Sequence, residues 1–437
     1  MAAAAPLSAA FWAYLIVFAV FLMMGAPIYM SLLCSGLVYA IIHGGINSMA
    51  IMAKMYGSLD SFVLIAIPMF MFSGIIMNNG GITDRIFDFC VKLVGHFRGG
   101  LAYVNVLASF IFSGMSGSAL ADVGGLGNIE IKAMRDEGYD DATIFGVTAN
   151  SATMGPIVPP SLPMVVYGSA ASISVGTLFI AGIGPGIVIG IVLCFAVHHV
   201  AKKHNYPVHK KATGAEIGRS FLNSFWALLM PVIIMGGIMS GYFTPTEASC
   251  VAVTYSIICS GAIYRDLRAR DLWMALDDTV SGIVPALAIV SSASLFGWVL
   301  QFEHLGDKIT TGMTSLTTNK FIILLLIDLI YMFFGMILDS TPTMYLMVPI
   351  LQPLCLSLGI SPYQLGVVTV LNLMIGLMTP PYGQSLFMLS GTTRTPFNKV
   401  VKYVMPWLIP MFIALLLVTY IPALTLTIPK LLGYAVY

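Results

Sequence analysis

The chain has 437 residues, 58% hydrophobic and only 9% charged, with a net charge of +1 and a mean hydropathy of +0.92. Soluble globular proteins carry about 25% charged residues, so a soluble enzyme, a secreted disulfide scaffold and a disordered regulator are excluded, and no bulk basic character argues for nucleic acid. At roughly 20 apolar residues per crossing there is room for about ten or more spans, and the expected class is an all-α polytopic membrane protein.

The N-terminus, MAAAAPLSAAFWAYLIVFAVFLMMG, contains no Lys or Arg, and the first positive residue is Lys54. A signal peptide needs a positive leading region, so residues 9–24 are expected to be a retained first span. Its uncharged flank is expected to face away from the cytoplasm. Cys34, Cys90, Cys194, Cys250, Cys259 and Cys355 form no C-x-x-C pair and read as small buried hydrophobes. Further along, a hydrophobic segment breaks at Ser113-Gly114-Met115-Ser116-Gly117-Ser118. Residues 130–141, EIKAMRDEGYDD, are too charged for lipid and read as a solvated turn. Asp122 lies between them and is either a helix cap or a functional carboxylate. The next span breaks at Gly155-Pro-Ile-Val-Pro159-Pro160.

Residues 198–219 hold Lys202, Lys203, Lys210, Lys211 and Arg219 against the single acid Glu216. This is the expected cytoplasmic loop. Two apolar stretches, 220–241 and 245–264, lead to Arg265, Arg268 and Arg270 on the same side. After residue 403 only Lys430 is positive, so the C-terminus is expected outside. Both halves then make an odd number of crossings and have opposite topology, as in an inverted-repeat transporter.

The two halves do resemble each other. FSGM at 112–115 matches FFGM at 333–336, an offset of 221 that also places Gly138 on Gly359, Gly155 on Gly376, and Pro159-Pro160 on Pro380-Pro381. Residues 74–86 resemble 297–309 at an offset of 223. The domains are therefore read as a first repeat, 1–210, and a second, 211–437. Each repeat has a small-residue break followed by a Gly-x-x-x-Pro-Pro break.

Proline removes an N–H and pushes its predecessor out of helix. Such backbone survives in lipid only inside protein or at a cavity. Carbonyls at a half-helix C-terminus suit Na⁺, and N–H groups at a half-helix N-terminus suit an anion. The candidate ligands of a first Na⁺ site are Ser113, Ser116, Gly155, Val158 and Pro160. Those of a second are Gly335, Gly376, Thr379 and Pro381, with Asp339 and Ser340 close by. Asp339, in an otherwise apolar stretch, is expected to be functional. No phosphate-binding loop, H-E-x-x-H or G-x-S-x-G occurs. An enzyme is therefore not expected, and no cofactor is called for beyond Na⁺ as coupling ion.

Four stretches resemble the large membrane subunit of tripartite ATP-independent periplasmic (TRAP) transporters. They are GMSGSALADVGGLGNIEIKAMRDEGYDDA (114–142), GPIVPPSLPMVVYG (155–168), GYFTPTEASCVAV (241–253), and 339–387 with DSTPTMYLMVPILQPL and NLMIGLMTPPYGQSLF. The resemblance implies Na⁺-coupled import of an organic acid across the bacterial inner membrane by an elevator mechanism. It implies helical hairpins at about 101–137 and 319–357 and broken helices at about 142–170 and 361–392. It implies substrate near Ser116, Ser118, Ser161, Asp339 and Ser340. It also implies a periplasmic binding protein and a small membrane subunit of about four spans, expected as a separate chain because this one begins directly at a span. Asp339 would repel a compact dicarboxylate and so favours a polyhydroxylated acid such as a sialic acid. The alternatives are a stand-alone Na⁺/carboxylate symporter and a channel or scaffold subunit.

Overall fold

The computed structural model describes residues 7–437 apart from 45, 205 and 318. The N-terminal flank 1–6, expected outside the cytoplasm, lies beyond the described residues. Among those residues the chain is helical and has no strand, as lipid demands of a backbone that must satisfy its own hydrogen bonds.

The chain opens with α1 (Ala9–Met23), α2 (Ile28–His43) and α3 (Ser48–Leu59). Ser8 starts α1 by accepting the Phe11 N–H, and Asn47 starts α3 by accepting the Met49 N–H. A 3-10 turn, Phe62–Ile65, leads into α4 (Ala66–Asn79), and α5 (Ile82–Val94) follows. On α5, Ile82, Ile86 and Cys90 are buried while Asp84 and Asp88 are exposed, the pattern of a helix lying on a surface. α6 (Gly100–Ser116), α7 (Ala119–Gly124) and α8 (Leu126–Asp136) run in and back. α9 (Asp141–Ser151) and α10 (Leu162–Ala171) flank the first Pro-Pro break, and α11 (Val175–Lys203) leads to the basic segment.

The second half runs through α12 (Gly214–Met239), α13 (Pro245–Ile257, prolonged by a π turn to Ile263) and α14 (Ala269–Phe302). Thr213 with Glu216, and Thr244 with Glu247, form capping boxes at the starts of α12 and α13. Then come α15 (Leu305–Leu316), α16 (Lys320–Gly335) and α17 (Ser340–Ser357). α18 (Pro362–Gly376) and α19 (Gln384–Thr393) flank the second break, followed by α20 (Phe397–Val404), α21 (Leu408–Tyr420) and α22 (Pro422–Leu431). Starts recur across the halves: Ala119 of α7 and Ser340 of α17 are 221 residues apart, as are Asp141 of α9 and Pro362 of α18. Both Pro159-Pro160 and Pro380-Pro381 bonds are cis.

Six helical segments of the described chain are long and apolar enough to cross a membrane. That is fewer than composition has room for. Five further apolar helices of the described chain are shorter, among them α1, the expected first span, α2, and α6, which at 17 residues is about 25 Å long at 1.5 Å per residue, short of a roughly 30 Å hydrocarbon core.

α4 packs between α13 and α14, α2 and α3 pack on α14, and α1 packs on α2. A second block holds the breaks: α16 lies on α18, α10 on α17 and α18, and α11 on α6, α18 and α21. Two glycines make close approaches here. A methyl on Gly366 of α18 would sit 2.7 Å from the ring of Tyr167 on α10. One on Gly146 of α9 would sit 2.0 Å from the ring of Trp407.

Candidate functional site

The first hairpin turns at Gly117, whose φ of +62° suits glycine. A methyl there would also fall 2.6 Å from the Pro160 carbonyl oxygen, and the Leu162 N–H donates to the Gly117 carbonyl at 3.1 Å. The hairpin tip thus rests directly on the Pro-Pro break. The buried Ser116 hydroxyl donates to Asp122 Oδ1. Asp122 is not the helix cap. Ser118 caps α7 by accepting the Ala121 N–H, and Asp122 points inward, 2% exposed, with Oδ2 lacking a hydrogen-bond partner among the described residues. A methyl on Gly155 would lie 2.7 Å from that Oδ2 and 3.2 Å from the Ser118 carbonyl oxygen.

Of the residues proposed for a first cation site, Ser116, Gly155 and Pro160 meet at this junction. Ser113 and Val158 have other contacts. The Ser113 hydroxyl donates to the Ser109 carbonyl at 2.5 Å, and a Val158 methyl packs on Gly186 of α11. The junction offers oxygens only, one of them a buried carboxylate oxygen without a donor. Such a set suits a hard cation rather than a transition metal. Among the described residues no group of three His, Cys, Asp or Glu side chains gathers.

At the second break the contact is as close. A methyl on Gly376 would meet the Gly335 carbonyl carbon at 2.6 Å and its oxygen at 2.7 Å. The Tyr382 N–H donates to the Met336 carbonyl at 3.2 Å, joining the second hairpin tip to the break. Thr379 donates its hydroxyl to the Ile375 carbonyl at 2.8 Å. Pro381 is exposed. Asp339 caps α17, with Oδ1 accepting the Ser340 N–H at 2.5 Å.

A cavity of about 200 Å³ lies between the two tips, the two breaks, α4 and α14. Ser118, Asp339 and Ser340 line it. Ser116 and Ser161 stand behind the wall: Ser116 is taken up by Asp122, and Ser161 caps α10, accepting the Met164 N–H at 3.1 Å. Five of the lining residues, Leu162, Pro163, Ser340, Thr341 and Gln384, are the first or second residues of α10, α17 and α19. Three helix N-termini therefore converge on the cavity, and each carries positive potential. No basic side chain lines it among the described residues. The backbone supplies the attraction for an anion that Lys or Arg would otherwise give. Asp339 sits at the start of α17 and offsets part of that helix's positive potential, leaving the starts of α10 and α19 uncompensated.

Sequence reasoning passed over Gln384, whose buried Oε1 has no hydrogen-bond partner among the described residues. It also passed over Asp328, buried on α16, which accepts from Asn372 Nδ2 at 2.9 Å and the Thr419 hydroxyl at 3.0 Å. A lone carboxylate in FIILLLIDLIYMFFG was the available signal, the same one that singled out Asp339.

Residues 15–424 match the sequence model of the family described as Tripartite ATP-independent periplasmic transporter, DctM component. The chain is 42% identical to the sialic acid TRAP transporter large permease protein SiaM of Vibrio cholerae, over 94% of this chain and 96% of that protein. It is 38% identical to the C4-dicarboxylate TRAP transporter large permease protein DctM of Pseudomonas aeruginosa, over 89% and 90%. In fold it is similar to the Alcanivorax borkumensis YdaH transporter, with a TM-score of 0.64 at 13% identity, over 93% of this chain and 97% of that one. The matched family, the helical membrane fold and the paired breaks together make the chain a multi-pass inner-membrane permease of secondary transport, not an enzyme, and it belongs to the DctM component family of tripartite ATP-independent periplasmic transporters.

Proposed function

We propose that this permease imports an organic acid in symport with Na⁺, by an elevator movement of the block that carries both hairpins and both broken helices. The observation that carries the reading is the central cavity, where three helix N-termini and, among the described residues, no basic side chain face the space between two oxygen-rich junctions. An anion is attracted there by backbone alone. Na⁺ at each junction would supply positive charge that is present only when the ion is loaded. At the first, Ser116, Asp122, Gly155 and Pro160 would hold it; at the second, Gly335, Gly376, Thr379 and Pro381. Ser118, Asp339, Ser340 and Gln384 would contact the substrate.

The repeats 1–210 and 211–437 would have opposite topology, with the basic segments in the cytoplasm and both termini outside. A small membrane subunit would brace α1–α4 and α12–α14, and a periplasmic binding protein would deliver the substrate. A sialic acid is favoured over a C4-dicarboxylate because Asp339 and the serines can accept and donate hydrogen bonds to hydroxyls, and because the sialic acid permease is the more similar of the two named relatives.

The test is uptake into proteoliposomes, with and without a Na⁺ gradient and the binding protein. Uptake requiring both is expected. Equal uptake without the gradient overturns the symport reading. Uptake by the permease without a binding protein favours the stand-alone symporter instead.

A further inference from the structure

A second, polar cavity of about 490 Å³ lies one helical turn from the central one. The same three helices wall both. Val166, Val290 and Thr341 face the central cavity, while Ser169, Ser294 and Tyr345 face the second, each three or four residues further along its helix. The Tyr345 hydroxyl reaches Ser169 Oγ at 3.5 Å, from α17 to α10. This polar space lies at the end of α10 that is joined to the start of α11. Lys202 and Lys203 lie at the far end of the 29-residue α11, so the space faces the side opposite the basic segment. On the proposed orientation it opens to the periplasm.

Among the described residues its one cationic lining residue is Lys54 of α3. Lys54 makes no ion pair among the described residues. The backbone holds it in place: the Ser294 hydroxyl donates to the Lys54 carbonyl at 3.3 Å, and the Ser291 hydroxyl to that of Met55 at 3.3 Å. A lysine in a polar recess, anchored but without an acidic partner, is a point charge available to a carboxylate. The central cavity holds Asp339 and no such side chain. Among the described residues lining the two spaces, an incoming anion therefore meets a fixed positive side chain before the central cavity, not in it.

We propose that this recess is a capture station for the carboxylate of an organic anion on its way to the central cavity, with Lys54 as its charge. The inference rests on the organic-acid reading of the function.

Gly57 lines the recess, and a side chain there would meet nothing within 4 Å, so Gly57→Cys places a reporter beside Lys54. In phosphatidylcholine proteoliposomes, N-acetylneuraminate and succinate should slow its modification by a methanethiosulfonate reagent, while glucose should not. Lys54→Gln should remove the protection. Asp339→Ala, which disables the central cavity, should leave it. In uptake by the whole transporter, Lys54→Gln should raise KM about threefold to tenfold with kcat retained, and Lys54→Arg should restore KM. Protection that survives Lys54→Gln, or that vanishes with Asp339→Ala, overturns the station. So does slowing that depends only on added anionic lipid. Failure of the wild-type transporter to take up any organic acid is the separate result that removes the underlying reading.

Discussion

Gly335 and Gly376 meet backbone to backbone, where the second hairpin leans on the second broken helix. The contact is one-sided. A methyl on Gly376 would press on the Gly335 carbonyl carbon at 2.6 Å, whereas one on Gly335 would meet the Leu373 side chain at 3.1 Å. Backbone cannot yield as a leucine tip can. Gly376→Ala is expected to cost about 1–3 kcal/mol and to abolish uptake, and Gly335→Ala to be milder in both. Thermal unfolding in detergent and proteoliposome uptake, measured side by side, would reverse the order if the junction were loosely packed.

Asp122 gives the sharpest ion prediction. Asp122→Asn keeps the shape and can still accept from Ser116, but removes the charge facing Gly155. The Na⁺ concentration for half-maximal uptake should rise about tenfold or more, corresponding to about 1.4 kcal/mol, with membrane insertion unchanged. Ser116→Ala should abolish transport. Na⁺ dependence identical to wild type in Asp122→Asn would remove the carboxylate from the ion site.

Asp339 caps α17 and is proposed to contact the substrate, and two substitutions separate the two roles. Asn is as good an N-cap as Asp, so Asp339→Asn should keep α17 intact and still lose substrate selectivity. Asp339→Ala should lose transport altogether and destabilise the helix start by about 1 kcal/mol. Equal uptake rates for wild type and both variants would leave Asp339 as a cap only.

Gly146 and Trp407 tie the first broken helix to the segment joining α20 and α21. Gly146→Val would drive a branched side chain into the indole. A loss of about 1–3 kcal/mol and low yield in detergent are expected, partly restored by pairing it with Trp407→Ala. Lack of any rescue in the double variant would argue against a purely steric cause.

Asp140, in the solvated turn after the first hairpin, supplies a pH dependence. Partial burial pushes its carboxyl up. The Tyr206 hydroxyl, the Thr143 N–H at 2.9 Å and the Thr143 hydroxyl at 3.1 Å outweigh that, and with His204 nearby they leave the carboxyl below its ordinary value of 3.8. The folded protein therefore binds this proton more weakly than the unfolded chain. The stability gained is present above the ordinary value and is lost as pH falls through the folded one. The melting temperature of wild type should drop between about pH 4 and pH 3 more steeply than that of Asp140→Asn. Parallel curves would assign the acid sensitivity elsewhere.

The sequence made the breaks legible because Gly and Pro carry their backbone consequences with them. Gly117, Gly155, Pro160 and Gly376 lie where such residues must, at a turn or a close approach. The central cavity was less legible. Its proposed attraction for anions rests on the starts of α10, α17 and α19, and backbone dipoles leave no mark on composition. Asp122 was ambiguous because its role turns on Ser118 taking the cap position, a choice of one serine over a nearby aspartate that spacing does not decide. Ser116 and Ser161, which sequence alone groups with Ser118, face away from the cavity because each spends its hydroxyl on a local partner.

Tyr167 of α10 rests against Gly366 of α18, so the first broken helix is seated in the second. Neither can shift alone without emptying that seat. If each junction takes one ion, loading is then read jointly, as an AND gate is. An ion on one side would change the charge around the cavity, yet on the proposed elevator movement the block would translate only as a unit. Filling Gly366 with a side chain would unseat Tyr167 and let the two inputs drift apart, leaving ion flux without the acid.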